Sequence, residues 1–245
     1  MDDPDGYFGE PVAAGYDDPA DPMNQPERID PAVGLLAELA GSGRALELAI
    51  GTGRIGLPLA RRGVPVHGIE LSRAMVQRLR AKPGGNDVTV TIGDMTTTTV
   101  PGSFALAYLV FNTINNLTSQ DAQIACFANV ARHLGPGGCF VIETGVPPLR
   151  SLPPGQDIQG YRASPGRIVS YSFDHATQRY QGHYVEFTDG TGPYRTIPFR
   201  YVWPSELDLM ARLAGLRLRD RWAGWDRAPF TTDSRSHVSV WEKPR

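Results

Sequence analysis

Three glycines, three acids and one methionine carry the chemical signal in this chain. Gly51, Gly53 and Gly56 stand as G-x-G-x-x-G within Leu46 to Gly56, LELAIGTGRIG. Glycines so spaced between a strand and a helix allow a tight turn and let a ligand press against backbone atoms. Glu70 follows nineteen residues after Gly51, at the end of the next apolar run. An acid there can accept both hydroxyls of a ribose. These two features fit a dinucleotide site as well as a methyl-donor site. Three others separate the readings. Glu47 lies inside the strand that leads into the glycines, where a dinucleotide fold prefers only apolar residues. A capped helix precedes the loop. Gly93-Asp94-Met95 follows the third strand, where the acid can accept an adenine amine and Met95 can pack on the ring.

Groups for a second substrate lie elsewhere. Phe111-Asn112-Thr113-Ile114-Asn115-Asn116 offers amides rather than acids. Tyr161, Tyr171, Tyr180, Tyr184, Tyr194, Tyr201 and Trp203 recur through the later part of the chain, with His175 and His183. Aromatic walls with a few polar tips suit a small organic acceptor, although alternate aromatics also pack on a main domain or across a homodimer. His183, in a strand, and His237, near Asp233, are the candidate catalytic bases; His175 falls in a turn, and His67 and His133 read as structural. No H-x-x-H or carboxylate grouping is present, so no metal site is expected.

The positioning elements follow from pattern. Residues 1 to about 28 are rich in Asp, Pro and Gly and read as a loose arm, with a short helix near its end. Asp30-Pro31 reads as an N-cap with Pro at the first helical position, Val33, Leu35, Leu36 and Leu39 as the apolar face, and Gly41 and Gly43 as the stop. Strands are expected at 45–50, 65–70, 88–92, 104–111 and 138–143. Helices are expected at 56–62, from the Ser72 cap to Ala81, and from the Ser119 cap to His133. Such alternation predicts a doubly wound α/β fold with a parallel sheet. Prolines at 147, 148, 153, 154 and 165 interrupt it. Strand-like alternation at 167–174, 179–188 and 194–203, with a turn at Asp189-Gly190-Thr191-Gly192, predicts an antiparallel insert. A helix from Pro204 to about Ala214 and strands near 216–223 and 235–242 complete the chain. The divisions are therefore an arm (1–28), a cofactor-binding core (29–144), an inserted β segment (145–203) and a C-terminal helix with a hairpin (204–245).

Taken together, Glu47-Leu48-Ala49-Ile50-Gly51-Thr52-Gly53, Glu70-Leu71-Ser72, Gly93-Asp94-Met95 and Leu134-Gly135-Pro136-Gly137-Gly138 resemble, in order, four motifs of the class I S-adenosylmethionine-dependent methyltransferases. The resemblance spans about residues 30–144. It implies a seven-stranded, mostly parallel Rossmann-like sheet ending in an antiparallel hairpin, with S-adenosyl-L-methionine as cofactor. By position it implies that Gly51 and Gly53 face the donor's methionine portion, with Ala49 and Thr52 among the cofactor-binding residues, and that Glu47 reaches its ammonium. Glu70, with Leu71 and Met75 nearby, would hold the ribose, and Asp94 and Met95 the adenine. Phe111 and Asn112 would lie beside the sulfonium. Tyr16 and Arg28, from the arm, would close over the donor, the Arg pairing with its carboxylate. The loop after strand four lacks the Asn/Asp-Pro-Pro-aromatic signature of enzymes that methylate base amines in nucleic acids.

Bulk properties agree with methyl transfer to an oxygen or nitrogen of a small metabolite. The 245 residues carry a net charge of −2, so no basic excess exists to neutralise a phosphate backbone. No apolar run approaches the ~20 residues of a membrane span, and the acidic N-terminus lacks the apolar region of a signal peptide. Cys126 and Cys139 sit in apolar contexts, as buried thiols of a cytoplasmic protein do. A nicotinamide-dependent oxidoreductase, and a non-catalytic binding module that keeps the fold, are the competing readings.

Overall fold

The computed structural model describes residues 5–19, 21–149, 152–164, 166–187 and 192–245. The elements in order are α1 (Glu10–Ala13), α2 (Pro26–Ala40), β1 (Ala45–Leu48), α3 (Gly56–Arg61), β2 (Val66–Glu70), α4 (Arg73–Arg80), β3 (Thr89–Ile92), β4 (Phe104–Leu109), α5 (Gln120–His133), β5 (Leu134–Gly145), β6 (Ile158–Ser164), β7 (Arg167–Asp174), β8 (Arg179–Glu186), β9 (Tyr194–Arg200), α6 (Pro204–Leu213), β10 (Arg217–Trp222) and β11 (Ser236–Glu242). The expected turn at residues 189–191 and the Tyr161 side chain lie outside the described residues.

Strands β10-β11-β5-β4-β1-β2-β3 form one seven-stranded sheet. β1 runs parallel to β2 and β4, and β11 runs antiparallel to β5. Alternating side chains divide the core into two layers, as strand geometry requires. Ala45, Leu106, Tyr108, Val141 and Val240 face α2 and α3. Leu46, Leu109, Phe140, Ile142 and Trp241 face α5 and α6. Both faces are buried, which is why these strands read as near-continuous apolar runs. Crossovers through helices leave the loops after β1, β2, β3 and β4 at one edge, where doubly wound sheets bind ligands. Among the described residues no helix is long and apolar enough to cross a membrane.

Four expectations are corrected. Helix α2 starts at Pro26 after an extended Gln25, so Asp30-Pro31 lies inside it. Pro26 supplies the same fixed φ five residues earlier, and Ile29 adds a further turn of core contact. The arm is docked rather than loose. Asp5 accepts the N–H groups of Arg73 and Ala74 at the start of α4, Ser72 Oγ donates to Phe8 O at 2.8 Å, and Ala13 packs on Ala74 and Met75. β6 arises in a segment whose pattern shows no strand; among the described residues it is an outer strand that pairs with β7 alone. β1 is also shorter than its apolar run, because Ala49 turns left-handed at φ 51°.

The second sheet has the order β6-β7-β8-β9 and is antiparallel. Phe173, Tyr180 and Phe199 stack across one face, with centroids 5.4 and 4.9 Å apart. Tyr180 also accepts from Asn115 Nδ2 at 3.2 Å, which seats this face on the loop after β4.

Candidate functional site

The chain leaves β1 through three left-handed residues, Ala49, Gly51 and Gly53. This curl turns the Gly51 N–H onto Glu70 Oε2 at 2.7 Å. Ser72 N–H fills Glu70 Oε1 at 2.9 Å. Both oxygens keep a lone pair for a further donor. Burial pushes the Glu70 carboxyl above its ordinary range, and the N–H groups of Ser72, Gly51 and Leu71 oppose this.

Glu47 sits one strand away, fully buried between β1 and β4. Its Oε2 accepts the Tyr108 hydroxyl at 2.9 Å. A Cβ at Gly56 would collide with that oxygen, so the third glycine of the motif makes room for the acid. Burial raises the Glu47 carboxyl well above its usual range; the Tyr108 hydrogen bond lowers it, and nearby Glu70 raises it further. A cation arriving beside Glu47 would favour the charged form.

The far wall comes from β4. Phe111 and Asn112 take φ of 56° and 60°, two consecutive left-handed residues that are not glycine. Such strain persists only where surroundings fix it. Here Phe111 N–H donates to Glu143 Oε2 at 2.7 Å, and Asn112 N–H to Glu143 O at 3.2 Å. Asn112 Oδ1 accepts from Gly145 N at 2.6 Å and Thr144 Oγ1 at 3.2 Å. The end of β4 is thus stitched to the end of β5.

The arm covers one side of the glycine loop. Asp17 accepts the Thr52 hydroxyl at 2.7 Å and pairs with Lys82 at 2.8 Å, while Lys82 also donates to Thr52 O. This anchors Tyr16 over a narrow cleft shared with Glu47, Ala49, Gly51, Arg54 and Phe111. Burial raises the Tyr16 hydroxyl, and Arg54 lowers it.

Other sequence candidates fall at varied places. Asp94 lies exposed after β3 and accepts from Thr96, and half-buried Met95 packs beneath it against the α5–α6 layer. Leu71 is exposed and Met75 is buried against the arm. Arg28 belongs to the first turn of α2 rather than to the arm, and it is exposed there. His183 bonds Ser172 Oγ and the Tyr194 hydroxyl, at 2.9 and 2.7 Å, on the face of the second sheet opposite Tyr180. His237 is fully buried in β11 beside Thr144 of β5, with Nδ1 2.8 Å from Ser239 Oγ. Burial, with Arg221, lowers its imidazole to about 4. Neither histidine has the solvent-accessible free nitrogen expected of a base.

Sequence reasoning passed over Arg54, Asp17, Tyr108 and Glu143. Glu143 carried the same signal that singled out Glu47, an acid within an apolar strand. Arg54 stood inside the glycine motif itself. The residues assembled here fit S-adenosylmethionine: paired acids at Glu47 and Glu70, an accessible backbone curl, and a buried Arg54 Nε without a partner in the same cleft.

Residues 45–138 match the family model described as a methyltransferase domain. The cypemycin N-terminal methyltransferase of a Streptomyces species is 27% identical over 226 residues, covering 88% of this chain and 91% of that protein. The SAM-bound amino pentose methyltransferase CalS10 of Micromonospora echinaspora is 22% identical, covers 94% and 95% of the two chains, and has a TM-score of 0.68, a likeness of fold. The CcbJ methyltransferase of Streptomyces caelestis is 34% identical with a TM-score of 0.84. That identity holds over 98% of both chains, so the likeness is of sequence as well as fold, and this chain belongs to the class I S-adenosylmethionine-dependent methyltransferases.

Proposed function

We propose that the protein methylates an amine nitrogen of a small molecule. The observation that carries this reading is Glu143. It is a half-buried carboxylate at the carboxyl end of β5, bonded to the strained Phe111 that borders the cleft. S-adenosylmethionine, when bound, supplies a sulfonium-activated methyl group that a nucleophile displaces in line. An amine acceptor enters mostly as an ammonium ion and must lose a proton before it can attack. Burial raises the Glu143 carboxyl, with the Phe111 N–H and Arg28 opposing. A base so poised can bind the ammonium by charge and take its proton. A hydroxyl acceptor would call for a stronger base, and neither His183 nor His237 offers one. The aromatic face of Tyr171, Phe173 and Tyr180 supplies an apolar wall for the rest of the acceptor. The names of the relatives support nitrogen: one acts at a peptide N-terminus and one on an amino pentose.

Matched pairs of small amines and their alcohol analogues, offered with a methyl-labelled donor, test the reading. Label is expected in the amines, on nitrogen by mass spectrometry. Faster labelling of the alcohols would overturn it.

A further inference from the structure

Asn115 is a buried amide with one atom left open. It lies in the loop after β4, just past Thr113 of the cleft, and is 7% exposed. Its N–H donates to Asn112 O at 2.9 Å. Its Nδ2 donates to the Tyr180 hydroxyl at 3.2 Å. The carbonyl before it, Ile114 O, accepts Gln123 Nε2 at 3.2 Å. Oδ1 is buried and accepts from no group among the described residues. Such an oxygen is costly to bury alone and is completed when a ligand brings a donor. The hold on Asn115 reaches from α5 to the second sheet. Gln123, fully buried in α5, also accepts Arg200 Nη1 and donates to Arg200 O at 3.4 Å. Arg200, 5% exposed at the end of β9, pairs with Glu206 of α6 at 2.6 Å. The residue before it, Phe199, stacks on Tyr180. One joint therefore sets the Tyr180 wall and the Ile114–Asn115 peptide together.

We propose that Asn115 Oδ1 accepts a hydrogen bond from a hydroxyl group of the methyl acceptor, next to the amine that is methylated. The acceptor class is then a vicinal amino alcohol. This rests on the reading that the acceptor is an amine lying against Tyr171, Phe173 and Tyr180. The division of roles follows from charge. An ammonium ion is met best by a carboxylate, and Glu143 supplies one at the end of β5. A neutral amide oxygen suits a neutral donor. Both groups are tied to the same loop, since Glu143 O accepts Asn112 N–H and Asn112 O accepts Asn115 N–H. An amine without the hydroxyl leaves Oδ1 unpaired once water is excluded, and this cost becomes selectivity. Gln123 and Arg200 are positioning residues that act through Ile114 O and Phe199.

The pair trans-2-aminocyclohexanol and cyclohexylamine differs by that hydroxyl alone. Each is titrated by saturation-transfer NMR against the full chain saturated with S-adenosylhomocysteine. The wild-type protein should bind the amino alcohol about tenfold more tightly, the size of one good hydrogen bond. Asn115→Leu should bring the two probes within about threefold of each other. Calorimetry should show its affinity for S-adenosylhomocysteine unchanged. Gln123→Leu and Arg200→Met should also lose the preference. Arg200→Lys keeps a cation for Glu206 and should restore part of it. A merely structural role would instead lower the melting temperature and weaken both probes equally. Equal binding of the two probes by the wild-type protein, binding of neither, or a preference that survives Asn115→Leu would overturn the proposal. A melting scan identifies an Asn115→Leu protein that has not folded, in which case Asn115→Ala decides. With a methyl-labelled donor, label on nitrogen or on oxygen decides the amine reading. The binding ratio does not depend on which atom is methylated, so the two fail separately.

Discussion

Glu70 accepts the backbone N–H of Gly51 at 2.7 Å, joining the ends of two neighbouring strands across nineteen residues of chain. The same carboxylate holds Ser72 N–H through its other oxygen. It is therefore a structural brace for the glycine loop, and the same position is the one proposed to hold the donor's ribose. Glu70→Ala should leave two buried N–H groups unpaired, at about 1–3 kcal/mol each. Both a lower melting temperature and at least tenfold weaker binding of S-adenosylhomocysteine are expected. Unchanged binding by calorimetry in a folded variant would remove the residue from the donor site.

Asp17 ties the arm to the loop through Thr52 and Lys82. Both charged groups are partly exposed, so the pair is worth only about 1 kcal/mol. Asp17→Asn should thus spare the melting temperature of the core while freeing the arm. Limited proteolysis within residues 5–25 should run several-fold faster than in the wild type. A cleavage rate that does not change would show that the packing of Ala13 on α4 suffices to hold the arm.

Glu143 must be ionised to take a proton. Its carboxyl is raised by burial, so the ionised form is lost as pH falls, and sooner than for an ordinary Glu near 4.5. The turnover rate should therefore drop on the acid side, with its midpoint above that value. Glu143→Gln keeps an acceptor for the Phe111 N–H but cannot take the proton. A loss of about 10²-fold in kcat is expected, with little change in affinity for S-adenosylhomocysteine. Full turnover in this variant across the pH range would dismiss Glu143 as the base.

His237 is neutral in the fold, its imidazole lowered from 6.5 to about 4 by burial and by Arg221. In the unfolded chain it binds a proton at a higher pH. Between those values the unfolded state holds more protons, so stability is lost as pH falls from about 6.5 towards 4. The full effect is about 3 kcal/mol, from the 1.36 kcal/mol of each pH unit. Glu47, Glu70 and Glu143 are shifted the opposite way and lose stability as pH rises, which makes the difference between variants the useful quantity. Denaturant melts of His237→Asn at pH 7 and pH 4.5 should show a smaller acid loss than the wild type. Equal losses would mean that the imidazole does not titrate across unfolding.

Much of the molecule was legible in its sequence, for reasons tied to particular residues. Val66–Glu70 and Arg167–Asp174 are strands whose apolar or alternating residues have few other uses. Ser72 and Ser119 cap their helices as read, accepting from Met75 N–H and Ala122 N–H. These are local signals, set by burial and by unsatisfied N–H groups at a helix start. The glycine spacing likewise marked the turn after β1, and the acids marked a buried place inside β1 for Glu47, the end of β2 for Glu70 and the turn after β3 for Asp94. Only the tertiary structure decided which residues face one another. Arg54 meets Tyr16 and Phe111, and Glu143 meets Phe111, across separations of 32 to 57 residues that no local pattern encodes. The same holds for Arg28, which α2 carries to the surface, for His183, whose nitrogens bond Ser172 and Tyr194 of the neighbouring strands, and for His237, which strand pairing buries beside Thr144. Composition and period fix where a side chain can be buried, but long-range pairing of the strands fixes what it touches.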